Sequence, residues 1–162
     1  MSVNKPPGSF GASRDQAVLS LYKGLGGWDG FHLRRRYNRC PFWEIESHLP
    51  EEGVFVDLGC GHGLMANVLA LASPSRRVIG IDPDPRKIHR AKMTLGERQN
   101  IEFRCGTLFD LEDIPLAGIT LIDVLYLLPH RDQEAILEEG ARRLAKEGAM
   151  AIKEFEPINR LH

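Results

Sequence analysis

The ten residues Val54-Phe55-Val56-Asp57-Leu58-Gly59-Cys60-Gly61-His62-Gly63 constrain the fold more than any other stretch of this 162-residue chain. A run of β-branched and aromatic residues ends in an acid. Three alternating glycines follow, and then the helix-forming run Leu64 to Ala72. The pattern predicts a strand, a tight turn and a helix. Glycine is needed in such a turn because the backbone must reverse sharply and let a ligand approach with no Cβ in the way. Asp57, at the strand end, suits a ligand that carries an ammonium group.

Around this element the chain alternates β and α patterns. Strands are predicted at Val54–Leu58, Val78–Ile81, Ile101–Arg104, Ile119–Val124 and Ala149–Lys153. Helices are predicted at Leu64–Ala72, Pro85–Leu95 with Gly96 as C-cap, and Arg131–Ala145. Strict alternation implies a parallel sheet with right-handed crossovers and helices on both faces. The first and fourth strands should flank the topological switch point, where ligands bind beyond the carboxyl ends.

Ahead of this core, residues 1–13 are read as a flexible tail and residues 14–50 as an N-terminal helical cap. The cap contains a helix over Asp15–Lys23, the basic stretch Arg34-Arg35-Arg36 with Arg39, and a helix from Pro41 to about Leu49. Residues 51–162 form the core. The net charge of −1 gives no global field toward nucleic acid or membrane. No apolar run approaches the ~20 residues needed to span a bilayer. The N-terminus lacks the apolar segment of a signal peptide. Cys40, Cys60 and Cys105 form neither a CxxC pair nor an even framework, which points to a reducing, cytoplasmic setting. His32, His48, His89 and His162 show no metal-ligand spacing, so no metal is expected.

Asp82 lies 19 residues after Gly63, near the offset of ~20 at which an acid reaches a ribose hydroxyl in dinucleotide folds. The alternative is an acid that merely starts the turn Asp82-Pro83-Asp84-Pro85. The glycine spacing here is G-x-G-x-G, not the G-x-G-x-x-G that seats a pyrophosphate on a helix N-terminus. Asp57 would also repel a pyrophosphate.

The string Asp57-Leu58-Gly59-Cys60-Gly61-His62-Gly63, with Asp82 closing Ile79-Gly80-Ile81-Asp82, resembles the first two motifs of class I S-adenosylmethionine (SAM) dependent methyltransferases. The resemblance runs over residues 53 to 153. It implies a Rossmann-like three-layer αβα sandwich with a mainly parallel sheet, five strands of the family's usual seven being present. Too few residues follow strand five for the remaining helix and strand pair. The core is therefore read as C-terminally truncated, with an exposed fifth strand through which two copies could pair as a homodimer.

The resemblance further implies that Asp57, Gly59, Cys60, Gly61, Gly63, Asp82, Thr107, Leu108 and Asp123 bind SAM, with S-adenosylhomocysteine (SAH) as product. Thr107 stands where the family usually has an acid beside the adenine, and Asp110 is the candidate substitute. Asp123-Val124-Leu125-Tyr126-Leu127-Leu128-Pro129 resembles the fourth-strand motif of small-molecule methyltransferases, whose residues line the sulfonium and the substrate entrance. No Asp/Asn-Pro-Pro-aromatic or Pro-Cys string stands there, which argues against DNA as acceptor.

Methyl transfer needs alignment and exclusion of water more than any one residue type. His130 is the candidate base, against the alternative of a solvent-facing residue at a helix start. Tyr126 is the candidate aromatic near the cation, against a plain core tyrosine. His62 would approach the ligand through its backbone, and Cys60 reads as packing. The acceptor is expected to be a small molecule, phosphorylated or carrier-bound if the arginine run contacts it. The rival readings are a SAM-binding module that is catalytically incomplete and an NAD-linked oxidoreductase.

Overall fold

The computed structural model describes residues 10–154. The chain divides between Pro41 and Phe42 into two compact units. The first holds α1 (Phe10–Ser20) and α2 (Gly27–Arg39). The Tyr37 hydroxyl donates to Asp15 Oδ1 at 2.6 Å and so links the two helices. Arg34, Arg35, Arg36 and Arg39 are exposed. Helix α1 begins at Phe10, inside the stretch expected to be a tail; residues 1–9 lie outside the described residues.

The second unit carries α3 (Phe42–Glu46), β1 (Gly53–Leu58), α4 (Leu64–Ala72), β2 (Arg76–Asp82) and α5 (Pro85–Lys92). It continues through β3 (Ile101–Cys105), β4 (Leu116–Ile122), α6 (His130–Arg143) and β5 (Leu144–Lys153). The segment Phe42–Pro50, expected within a helical cap, belongs to this unit. The strands lie in the order β3-β2-β1-β4-β5, and every neighbouring pair is parallel. This is the parallel sheet that the alternation implied, in the Rossmann-like fold that the resemblance implied. Strand order reverses between β1 and β4. With right-handed crossovers, α4 and α5 then cover one face and α6 the other.

The strand patterns follow from this placement. β1, β2 and β4 are central and nearly wholly buried, so they read as continuous apolar runs instead of alternating ones. Val56, Leu58, Ile79, Ile81, Leu108, Leu116, Ile119 and Leu121 form one buried cluster, against which Ile136, Leu137 and Met150 pack.

Arg76 is a polar member of the interior, 2% exposed. Its guanidinium donates to Glu46 Oε1 at 2.7 Å, to the Pro50 carbonyl at 2.8 Å, and to the Leu69 and Leu49 carbonyls. It also lies 5.0 Å from the Phe55 ring centre. A buried cation is tolerated because every face of it meets an acceptor or a ring. This one side chain ties α3 and the turn after it to β1 and α4.

Several element bounds differ from the sequence reading, each for a local reason. Helix α5 stops at Lys92, where the Thr94 hydroxyl donates to the Ala91 carbonyl at 2.6 Å and competes with the next helical turn. Strand β4 starts three residues earlier than expected and ends at Ile122, because Asp123 takes a left-handed φ of 57°. Strand β5 starts at Leu144 and pairs with Leu116, then shifts register so that Ala149 faces Gly118. Lys146-Glu147-Gly148, which lies between the expected helix and the expected strand, is absorbed as an irregularity inside the strand. Among the described residues β5 is an edge of the sheet, and Ile152 on it is 46% exposed. Among the described residues no helix is long and apolar enough to cross a membrane.

Candidate functional site

The glycine loop sits at the carboxyl end of β1, beside the switch point. Gly59, Gly61 and Gly63 all have positive φ, at 66°, 55° and 85°. At two of them space is short as well. A Cβ on Gly59 would lie 2.6 Å from Val124 Cγ2, and one on Gly63 would lie 2.5 Å from Phe103 Cζ. The loop is pinned by its own amides: Cys60 N–H donates to the Ile81 carbonyl at 3.0 Å, and Gly63 N–H to the Cys60 carbonyl at 2.8 Å.

Two buried carboxylates shape this loop. Asp82, 5% exposed at the end of β2, accepts the Gly61 N–H on Oδ2 and the Asp84 N–H on Oδ1, both at 2.9 Å. Each oxygen has a second lone pair, so the carboxylate can accept further hydrogen bonds. Asp57 is 2% exposed. Its Oδ2 accepts the Ala66 N–H at 3.1 Å, and its Oδ1 accepts the Thr120 hydroxyl at 2.7 Å. Ala66 is the third residue of α4, so Asp57 caps that helix from the preceding strand and also bridges β1 to β4. A negative charge therefore occupies the N-terminus of α4, the place a phosphate would want.

Thr107 follows β3 at the neighbouring carboxyl end, after Gly106, whose N–H donates to the Asp82 carbonyl at 3.1 Å. Its amide and hydroxyl both donate to Asp110 Oδ2, at 2.7 and 2.8 Å. These bonds hold the Asp110 carboxyl below its ordinary range, the hydroxyl contributing most. Asp110 thus caps a one-turn 3-10 helix, Leu108–Asp110. Leu108 is 2% exposed and its side chain belongs to the core cluster.

Asp123 leaves β4 with Oδ1 accepting from Lys153 Nζ at 2.6 Å. The strands thus bring Asp57, Gly59, Cys60, Gly61, Gly63, Asp82, Thr107 and Asp123 to the carboxyl end of the sheet. Cys60 is buried, and burial chiefly, with the charges of Asp57 and Asp82 behind it, pushes its thiol far up from the ordinary value. A thiol held protonated is packing, not a nucleophile.

The two candidate catalytic residues follow Asp123, Tyr126 in the turn after β4 and His130 at the start of α6. Tyr126 is 56% exposed, which removes the core-tyrosine alternative. His130 is exposed at the first position of α6, the geometry of a solvent-facing helix start. Thr120 was missed by sequence reasoning, because a threonine inside a strand is an ordinary β-former. Glu154 receives three amides of the turn after β4, an anchoring contact that no local sequence signal shows. Among the described residues no group of three His, Cys, Asp or Glu side chains is placed to hold a metal ion.

Comparisons with known proteins agree with this geometry. Residues 55–148 match the family model described as a methyltransferase domain. A ribosomal protein L11 methyltransferase from Burkholderia cenocepacia is 37% identical over 92 residues, which is 57% of this chain and 29% of the relative. The chain therefore spans under a third of the length of that relative. A TehB-like SAM-dependent methyltransferase from Corynebacterium glutamicum has a TM-score of 0.60 at 22% identity, covering 76% of this chain and 70% of that one. PKMT2 from Rickettsia typhi, solved in complex with AdoHcy, has a TM-score of 0.58 at 23% identity, covering 69% of this chain and 24% of that one. At these identities the two structures establish the fold alone.

Proposed function

Because the chain belongs to the methyltransferase domain family, we propose that it binds SAM and passes the methyl group to a small-molecule acceptor. The observation that carries the choice of cofactor is the Asp57 cap on α4. A carboxylate that takes the Ala66 amide leaves a negative charge where an NAD pyrophosphate would have to sit. The same charge favours a ligand with an ammonium group. Asp57 acts as a buried charge behind the loop, 2% exposed while it holds Thr120 and Ala66.

When bound, SAM supplies a methyl group on a sulfonium whose leaving group is neutral. The chain's own residues bind and orient. Asp82 accepts ribose hydroxyls on its remaining lone pairs, and Gly59, Gly61 and Gly63 let the ligand lie against backbone. Thr107 and Leu108 offer backbone groups to the adenine. Asp123 and Tyr126 line the acceptor side, and His130 is the base if the acceptor must lose a proton. The acceptor class follows the string Asp123–Pro129. The L11 methyltransferase relatives, by their name, act on a protein, and that acceptor is the alternative outcome. A cytoplasmic setting and a homodimer through β5 complete the reading.

Calorimetry with SAM and SAH, followed by an assay for SAH release with small-molecule and protein acceptors, tests it. Asp82→Ala should weaken binding about 10- to 150-fold, the loss of bonds to a charged acceptor at about 1.5–3 kcal/mol. Absence of heat with SAM at millimolar concentration refutes the cofactor, and NADH binding would restore the oxidoreductase. Binding without turnover on any acceptor favours the catalytically incomplete module.

A further inference from the structure

We propose that Glu154 is a positioning residue for the glycine loop, acting through Val124; this rests on the SAM-binding reading above. Glu154 directly follows β5 and lies 30 residues beyond Val124 in sequence. Its Oε1 accepts the Val124 and Leu125 amides at 3.1 and 3.0 Å, and its Oε2 accepts the Tyr126 amide at 3.1 Å. Lys153, the preceding residue, holds Asp123 twice: its Nζ donates to Oδ1 at 2.6 Å and its carbonyl accepts the Asp123 N–H at 2.7 Å. Four consecutive residues of the turn, Asp123 to Tyr126, are thus fixed by two consecutive residues at the end of the neighbouring strand.

The turn needs holding. Asp123 is a non-glycine residue at φ 57°, a conformation that persists where its surroundings enforce it. Val124, at φ −117° and ψ −49°, is aimed back across the switch point. Its two γ-methyls pack on the Gly59 backbone so closely that a Cβ there would meet them at 2.6 and 3.0 Å. The chain of contact runs from the Glu154 carboxylate through the Val124 amide and methyls to Gly59. The same carboxylate holds Leu125 and Tyr126, so the turn that faces the acceptor and the loop that faces the cofactor share one anchor.

Only a carboxylate does this. It accepts on both oxygens, whereas a glutamine amide accepts on one side and donates on the other. Glu154→Gln can keep the Val124 and Leu125 amides but must turn an N–H toward that of Tyr126.

The test uses SAH as the probe, read by calorimetry, together with amide hydrogen exchange across the turn. Glu154→Ala should weaken SAH binding about tenfold and deprotect the Val124, Leu125 and Tyr126 amides. In a Val124→Ala background the same change should cost less than about twofold, because the relay is already cut; an effect of Glu154 that reaches the ligand by a route independent of the Val124 methyls gives additive losses. Glu154→Gln, which keeps two of the three bonds, should raise exchange most at Tyr126. Unchanged SAH affinity in Glu154→Ala with deprotected amides would overturn the inference and leave SAM binding standing, as would additive losses in the double variant. A parent protein that binds no SAH overturns both.

Discussion

Thr120→Val is a sharp test of how the site end of the sheet is built. The change is nearly isosteric and favours a strand, so a view of Thr120 as an ordinary core β-residue predicts no loss, or a gain. The structure predicts otherwise. Thr120 is 0% exposed, and its hydroxyl donates at 2.7 Å to Asp57 Oδ1 in a carboxylate 2% exposed. A hydrogen bond to a charged group is worth about 1.5–3 kcal/mol, and water cannot readily reach this oxygen to replace the lost donor. Taking about 2 kcal/mol, the melting temperature of a domain this size should fall by about 4–8 °C. Thr120→Ser keeps the donor and gives up one methyl, about 1 kcal/mol with the space it leaves. The order of stability should therefore be parent, then serine, then valine. Urea unfolding followed by circular dichroism, with unchanged slope, measures all three. A valine variant as stable as the parent would refute the claim that Asp57 is held by β4.

Other consequences can be checked separately. Gly63→Ala should cost about 2 kcal/mol or more, since φ is 85° and the new Cβ would strike Phe103; urea midpoints report it. Iodoacetamide followed by mass spectrometry should modify exposed Cys105 well before buried Cys60. Glu139 is held down to about 2 by hydrogen bonds from Arg142 first and Arg143 second. Its folded value is depressed, so its contribution is complete above the ordinary 4.5 and is lost as pH falls toward about 2. The gap in urea midpoint between the parent and Glu139→Gln should accordingly close across that window.

Much of the scaffold was legible because it depends on residues with a single physical role. Glycines at positive φ have few substitutes, and apolar runs between them set the order of strands and helices. Asp82 could be located because strand ends in such folds fall at regular distances from the loop. What stayed hidden depends on pairing. Asp57 reads as a ligand acid, and its bond to Thr120, 63 residues on, has no signal in the sequence. Leu108 reads as part of a binding string, but its side chain completes the core. Asp123 shows no sign in sequence of its left-handed backbone, which Lys153 and its neighbours enforce. The early start of β5 is similarly non-local: β4 supplies a partner at Leu116 for Leu144, which the sequence pattern places in the preceding helix.

The buried guanidinium of Arg76 has a consequence for how the molecule comes apart. Helix α3 has five residues, far fewer than an isolated helix needs to persist in water. By length alone it should fray on its own. Its departure, however, would strip Arg76 of Glu46, which belongs to α3, and disturb the Leu49 and Pro50 carbonyls just beyond it, leaving a cation inside the sheet without its acceptors. That opening is costly enough to couple α3 to the cooperative unfolding of the whole sheet. A segment that ought to be the first to loosen is thereby made one of the last to leave.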